Sequence, residues 1–226
     1  MTGSLLRFGA VAFDCDSTLS SVEGIDELAR RSGCFDEIEP LTAMAMDGRL
    51  TIDQVYGRRM DLVRPDRAAL DWLAGLYIET VTTGAAETIM TLREAGVAVH
   101  VVSGGLRPAI LPLAAHLGIA PHDVHAVDVS LGPDGNYLGY QTGSPLTRPD
   151  GKAAVCRELA ARHGPVAMIG DGTTDVAARS GGAFVVGYGG VVARDAVRAS
   201  ADVFVTDAAL TAVSYTHLTL PTNREV

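Results

Sequence analysis

Short apolar runs alternate along the chain with longer segments of helical periodicity. The apolar runs, bounded by turn residues, predict strands over 8–14, 97–105, 165–175 (a strand followed by a loop), 183–190 and 201–206. Periodic segments that end at glycine predict helices over 22–33, 84–96, 106–118 and 151–164. Residues 124–140 predict a hairpin that turns at 133–135.

Strands that alternate with helices are typical of an α/β fold, here a Rossmann-like doubly wound parallel sheet. Residues 20–80 are mainly helical and interrupt the alternation directly after the first strand. We therefore predict a core domain formed by 1–19 and 81–213, with a small helical cap domain at 20–80 inserted after the first strand. Residues 214–226 are threonine-rich and aperiodic, and we expect them to be a non-native tail without the helix expected to end the chain.

Composition narrows the class of protein. Of the 226 residues 47% are hydrophobic and 20% are charged, which is typical of a globular domain. A net charge of −9 argues against a nucleic-acid partner, and no apolar stretch is long enough for a membrane span or a signal peptide. The three cysteines (Cys15, Cys34 and Cys156) have no CxxC spacing, so we expect a reducing, cytoplasmic location.

Two aspartates, Asp14 and Asp16, stand at the end of the first predicted strand, in FDCDSTLS. Two carboxylates placed there repel each other and lose hydration, so the pair needs a chemical reason. The sequence at this point allows a metal site, a general acid/base pair, a nucleophile with its helper, or an acidic helix cap.

Two further predicted strands also end in polar residues, and functional groups of open parallel sheets gather at this edge. Residues 170–175 (GDGTTD) bring a second group of carboxylates, which suits a hard cation such as Mg²⁺. Ser103, Gly104 and Gly105 offer a hydroxyl and bare backbone N–H groups before a helix, a candidate anion site. Lys152 is the one lysine of the sequence and opens a predicted helix, where a cation is electrostatically unfavourable.

The order DxDST, SGG, Lys, GDGxxD with a helical block after the first motif resembles the haloacid dehalogenase (HAD) superfamily. The segments FDCDSTLSSVEGIDELA, VVSGGLRPAI, GYQTGSPLTRPDGK, MIGDGTTDVAA and YGGVVARDAV resemble the members that hydrolyse O-phosphoserine, over residues 8–213. The resemblance implies a Mg²⁺-dependent phosphoric monoester hydrolase with a HAD core. Its small-molecule substrate would be O-phosphoserine, converted to serine and phosphate in serine biosynthesis.

The resemblance also implies roles for the residues of the motifs. Asp14 would be the nucleophile that forms an aspartyl-phosphate, and Asp16 the general acid and base. Mg²⁺ would be held by Asp14, Asp171 and the backbone carbonyl of Asp16, with Asp175 behind these ligands. The phosphoryl group would be bound by Ser103, Gly104, Gly105 and Lys152, and Thr174 would contact the substrate.

Substrate specificity is expected in the predicted cap. By the resemblance, Glu23 would meet the substrate ammonium group and Arg59 its carboxylate. Met46, Asp47 and Gly48 would close the site, and Arg194 would lie near it. Ile52 departs from the family pattern, in which phenylalanine is frequent.

Other functions remain open at this point. The same fold could pass its phosphoryl group to a second alcohol, or hydrolyse another small phosphomonoester. A non-catalytic phosphate sensor is a third alternative, against which the presence of both Asp14 and Asp16 argues. We expect no nucleic-acid or membrane partner and a monomer or homodimer. His122 and His125 are expected at the surface.

Overall fold

The computed structural model describes residues 8–46 and 49–216, which form a parallel sheet flanked by helices. The strands are β1 (Ala10–Phe13), β2 (Ala98–Leu106), β3 (Val124–Val127), β4 (Val129–Leu131), β5 (Tyr137–Tyr140), β6 (Val166–Gly170), β7 (Phe184–Tyr188) and β8 (Val203–Val205). The helices are α1 (Gly24–Ser32), α2 (Phe35–Met46), α3 (Ile52–Val63), α4 (Arg67–Glu79), α5 (Ala85–Glu94), α6 (Arg107–His116), α7 (Gly151–His163), α8 (Thr173–Ala177), α9 (Asp195–Ser200) and α10 (Thr211–Thr216).

Six strands form the main sheet in the order β3-β2-β1-β6-β7-β8, and all its pairs are parallel. The chain moves outward from β1 first to β2 and β3 and then, on the other side, to β6, β7 and β8. Crossovers that run in both directions from a central strand place helices on both faces of the sheet. The predicted doubly wound α/β fold is therefore confirmed, and β1 lies at the point where the strand order reverses.

The apolar runs form central strands because both of their faces are covered. Every residue of β1 and of β6 is buried, as expected for parallel strands between two helical layers. Among the described residues, no helix has the length and apolar composition needed to cross a membrane.

Four helices, α1 to α4, lie between β1 and β2 in the chain. Helix α1 ends at Gly33, whose φ of 78° suits glycine, and α3 begins with a capping box formed by Thr51 and Gln54. The segment that leads from the sheet into these helices and the segment that returns from them form the two crossings of the chain. The two crossings meet at an isolated bridge between Ser20 and Val81. The Ser20 and Thr80 hydroxyls lie 2.8 Å apart beside it, so the two crossings are held together.

Three predicted elements differ from the structure. The hairpin predicted over 124–140 is split, because β3 joins the main sheet beside β2 while only β4 and β5 form an antiparallel hairpin. Strand β2 continues to Leu106, so SGG lies in a strand rather than in a loop. Helix α10 reaches Thr216 and thus enters the segment predicted to lack a helix, whereas 217–226 lie outside the described residues.

His125 is half-buried rather than at the surface, because it belongs to a histidine cluster formed by His100, His125 and His163. The ring centroid of His100 lies 5.5 Å from that of His125 and 5.2 Å from that of His163. His100 is 3% exposed, and its Nδ1 lies 3.4 Å from Asp123 Oδ1. Burial lowers the pKa of His100 to about 4; Asp123 opposes this shift, while the neighbouring histidines and Arg162 add to it.

Candidate active site

The chain leaves β1 through a buried, irregular turn over Cys15–Leu19. The Asp14 backbone N–H donates to Ile169 O at 2.9 Å, which fixes Asp14 to the neighbouring strand β6. Asp14 Oδ1 accepts a hydrogen bond from Cys15 N at 2.7 Å. Ser17 has a φ of 52°, a conformation that costs free energy for a residue with a side chain and is frequent at functional sites.

Lys152 joins two of the carboxylates. Its Nζ lies 2.8 Å from Asp14 Oδ2 and 2.6 Å from Asp175 Oδ1, and the side chain is 5% exposed. Burial acts to lower the pKa of Lys152, but the two carboxylates outweigh burial and raise it, so the ammonium stays charged. Asp175 Oδ2 accepts from Gly172 N at 2.9 Å, so both Asp175 oxygens are engaged. A side chain at Gly170 would overlap the Asp175 carboxyl group, which accounts for glycine there.

The carboxylates of Asp14, Asp171 and Asp175 converge so that one oxygen of each lies within 4.8 Å of the others. Asp171 Oδ2 accepts from Arg194 Nε at 3.1 Å, whereas Asp171 Oδ1 is buried and has no hydrogen-bond partner within the described part of the chain. Burial, with the neighbouring charge of Asp14, raises the pKa of Asp171 to about 8. Burial also raises the pKa of Asp175, to about 7.

This donor set fits a hard divalent cation. If Asp16 is included and all four carboxyl groups are counted as ionised, they exceed the two cations, Lys152 and Arg194, by a formal charge of −2. Mg²⁺ would neutralise that charge, and it prefers oxygen ligands. Asp171 Oδ1 and the carboxylate of Asp14 are the oxygens that would hold it.

The carboxyl group of Asp16 is not one of the three converging carboxylates and has partners of its own. Its Oδ1 accepts from Gly24 N at 2.7 Å and from the Tyr77 hydroxyl at 2.6 Å. Burial and the negative charge of Asp14 raise the pKa of Asp16 to about 6, although both hydrogen bonds oppose the shift. A carboxyl group with this pKa exchanges a proton readily near neutral pH, as a general acid and base must.

The end of β2 forms a third wall of the site. Ser103 is 1% exposed, and its Oγ accepts from Gly105 N at 3.0 Å. A Cβ on Gly105 would lie 3.1 Å from Asp16 Oδ2, so that oxygen and the SGG backbone face the same space. Tyr56 of α3 donates its hydroxyl to Gly104 O at 2.9 Å, which joins the inserted helices to this strand.

Glu23 and Arg59 lie at the side of the site formed by the inserted helices. Arg59 is 7% exposed, and its Nη1 lies 3.4 Å from Thr42 Oγ1, which in turn donates to Asp26. Arg59 Nε and Glu23 Oε2 are both buried, and neither has a hydrogen-bond partner among the described residues. Burial raises the pKa of Glu23 and lowers that of Arg59, although the charge of each side chain favours the ionised form of the other. Both side chains line the same cavity.

A single cavity connects these groups. Residues predicted to form the site that line it are Asp14, Asp16, Glu23, Arg59, Ser103, Gly104, Gly105, Lys152 and Thr174, together with Ile52. Arg194 does not line the cavity and instead contacts Asp171, while Asp171 and Asp175 lie behind the wall. The Met46 side chain, Asp47 and Gly48 lie outside the described residues.

Sequence reasoning missed Tyr56 and Tyr77, which contribute hydroxyl groups to the walls of the cavity. At helical spacing a tyrosine is read as a core residue, and both rings are indeed buried. The one signal in the sequence is the hydroxyl itself, because a buried tyrosine hydroxyl needs a hydrogen-bond partner.

Comparison with known proteins assigns the chain to a family. The profile of the haloacid dehalogenase-like hydrolases matches residues 8–180, so the chain belongs to that class of hydrolase. The chloroplastic phosphoserine phosphatase of Arabidopsis thaliana is 36% identical over 85% of this chain and 67% of its own length. The phosphoserine phosphatase of Bos taurus is 32% identical over 88% of this chain and 89% of its own.

A solved phosphoserine phosphatase structure that contains an analogue of the phospho-aspartyl intermediate is also similar. It superposes with a TM-score of 0.78 at 28% identity and covers 92% of this chain and 98% of its own. The resemblance to phosphoserine phosphatases within this class of hydrolase is therefore confirmed.

Proposed function

We propose that this protein is a Mg²⁺-dependent phosphatase that hydrolyses O-phosphoserine to serine and phosphate, a step that ends serine biosynthesis. One observation carries the proposal: a single cavity has Asp14 and Lys152 on one side and, on the other, Glu23 and Arg59, each with one buried polar atom that has no hydrogen-bond partner among the described residues. The first side suits a phosphoryl group, and the second suits the ammonium and carboxylate of an amino acid.

In the first step, an oxygen of Asp14 attacks phosphorus. The bond between phosphorus and the seryl oxygen breaks with its electron pair on that oxygen, which takes a proton from Asp16. In the second step, Asp16 accepts a proton from water as the water oxygen displaces the Asp14 carboxylate from phosphorus. Phosphate leaves, and Asp14 and Asp16 return to their starting forms.

The charge of the phosphoryl group is the main obstacle to attack by a carboxylate. Lys152 places a permanent positive charge 2.8 Å from Asp14 Oδ2, and Asp175 holds that ammonium in position. Mg²⁺ bound by Asp14 and Asp171 would screen the two anions from each other and stabilise the transferring oxygens. Ser103 and the backbone of Gly104 and Gly105 complete the phosphoryl side.

The finer assignments follow from the same chemistry. Glu23 would bind the ammonium group of phosphoserine and Arg59 its carboxylate; Met46, Asp47 and Thr174 would border the substrate, and Arg194 would support Asp171. We propose that the enzyme acts in the cytoplasm as a monomer or homodimer, without a nucleic-acid or membrane partner. The core (1–19 and 81–213), the cap (20–80) and the non-native tail (214–226) remain our predicted organisation.

The test is a phosphate-release screen over phosphoserine, phosphothreonine, phosphoethanolamine and sugar phosphates, with Mg²⁺ and after chelation. We expect the highest kcat/KM with phosphoserine, and loss of turnover on chelation or in Asp14→Asn, whose folded state should persist. Serine product measured with and without an acceptor alcohol separates hydrolysis from phosphoryl transfer. Absence of phosphate release from every monoester would instead support a sensor, and a strong preference for another monoester would replace the substrate.

A further inference from the structure

The hydrogen bonds of Asp16 distinguish its two carboxyl oxygens. Oδ1 accepts from the Tyr77 hydroxyl at 2.6 Å and from Gly24 N at 2.7 Å. Oδ2 faces the end of β2, where a Cβ on Gly105 would lie 3.1 Å from it. One oxygen is therefore occupied by two donors, and the other faces the side of the cavity where the phosphoryl group is proposed to bind.

An oxygen that accepts two hydrogen bonds has no lone pair left on which to carry a proton in the same plane. The tyrosine hydroxyl is neutral near pH 7, so it remains a donor to Oδ1. When Asp16 is protonated, its proton is thus directed to Oδ2.

We propose that Tyr77 is a positioning residue, which fixes the proton of Asp16 on Oδ2 and aims it at the departing alcohol. This inference rests on the phosphatase function proposed above. In the step concerned, the Oδ2–H bond breaks and the proton joins the seryl oxygen as that oxygen leaves phosphorus with the bonding electrons. Tyr77 loses and gains no proton; it orients the group that does.

The local packing leaves space for the Tyr77 hydroxyl beside Asp16. A side chain at Gly24 would overlap the Tyr77 hydroxyl, so the chain leaves room for that group next to Asp16. Gly24 begins α1, and Tyr77 lies in the last turn of α4. The two donors to Oδ1 therefore come from the two ends of the helical insertion, and they meet at the acid only when the insertion is packed on the sheet.

The test compares Tyr77→Phe with the wild type on two phosphates whose leaving groups differ. The seryl oxygen of phosphoserine leaves as an alkoxide unless an acid protonates it. Acetyl phosphate is small, and its leaving group, acetate, needs no proton. The ratio kcat/KM reports the steps up to departure of the leaving group. Loss of one hydrogen bond to a carboxyl group should lower kcat/KM for phosphoserine about 10- to 100-fold and that for acetyl phosphate by less than about 3-fold.

Tyr188→Phe is the matched control, because the Tyr188 hydroxyl is also buried and donates to Ala208 O at 2.8 Å, away from the cavity. Tyr188→Phe should lower the stability of the fold, but it should not change kcat/KM for one phosphate more than for the other. If Tyr77→Phe does not fold, Gly24→Ala, which displaces the hydroxyl, should give the same separation.

Each outcome bears on one claim only. Equal losses on both phosphates would assign Tyr77 to packing, and unchanged phosphoserine kinetics would exclude any role in catalysis; either result overturns the inference. A wild type that prefers another alkyl phosphate would overturn the substrate assignment alone, since the same comparison can then be made with that alkyl phosphate.

Discussion

Replacing Lys152 by methionine removes the charge between Asp14 and Asp175 while retaining an unbranched apolar side chain. Both partners are buried, and among the described residues their salt bridges are both made with Lys152. Removing one partner of a buried ion pair typically costs 3–5 kcal/mol, because the remaining charge is left without compensation. We expect Lys152→Met to lose about 3–5 kcal/mol of unfolding free energy in chelator.

For a chain of this size, each kcal/mol corresponds to roughly 2–4 °C in Tm, so the expected fall is about 6–20 °C. Urea unfolding and thermal melts should be measured in chelator and in Mg²⁺. Mg²⁺ should stabilise the variant more than the wild type, since the cation takes over part of the compensation. Activity should be lost in both conditions because the phosphoryl charge is no longer neutralised.

The control is Arg162→Met on the same helix, which removes an exposed cation 3.6 Å from Glu158. A surface pair of this kind contributes about 0–1 kcal/mol, so this variant should behave as the wild type. A loss below about 1 kcal/mol in Lys152→Met would refute the view that the ammonium compensates the two buried carboxylates.

Arg59→Ala should lower kcat/KM for phosphoserine by about 10²–10³ but that for phosphoethanolamine, which has no carboxylate, by less than about tenfold; equal losses would assign Arg59 to packing. Because the pKa of His100 is lower in the folded than in the unfolded chain, the unfolded chain binds a proton at His100 at a higher pH than the folded chain does. The free energy of unfolding should therefore fall by about 2–4 kcal/mol as the pH is lowered from 6.5 to about 4. His100→Gln should reduce this pH dependence in urea unfolding, and an unchanged slope would contradict it. Gly170→Ala should displace Asp175 and abolish turnover, whereas Gly139→Ala, with no atom near its Cβ position, should remain active.

The sequence allowed the fold to be predicted because its apolar runs are short and bounded. Strand β1 is entirely apolar, which determines its central, buried position, and the carboxyl-end rule then locates the site. The convergence of Asp14 with residues 171 and 175 follows from adjacent strands β1 and β6.

Features that depend on tertiary approach were not predicted. The pattern of VHAV in β3 fits a hairpin as well as a sheet edge, and only its pairing with β2 decides between them. Likewise, an aromatic position in α4 predicts core packing, and the distance from the Tyr77 hydroxyl to Asp16 arises when the insertion packs on the sheet. The contact of Arg194 with Asp171 depends on the course of the loop after β7.

The isolation of Lys152 has a practical consequence. It is the only lysine in the printed sequence, so an amine-selective reagent can modify one side chain and, besides it, only the α-amino group. In the folded protein that amine is buried and protonated between two carboxylates, and is therefore a poor nucleophile. Acylation of Lys152 thus requires the site to open. The rate of acylation therefore measures how often the site opens, without any engineered probe.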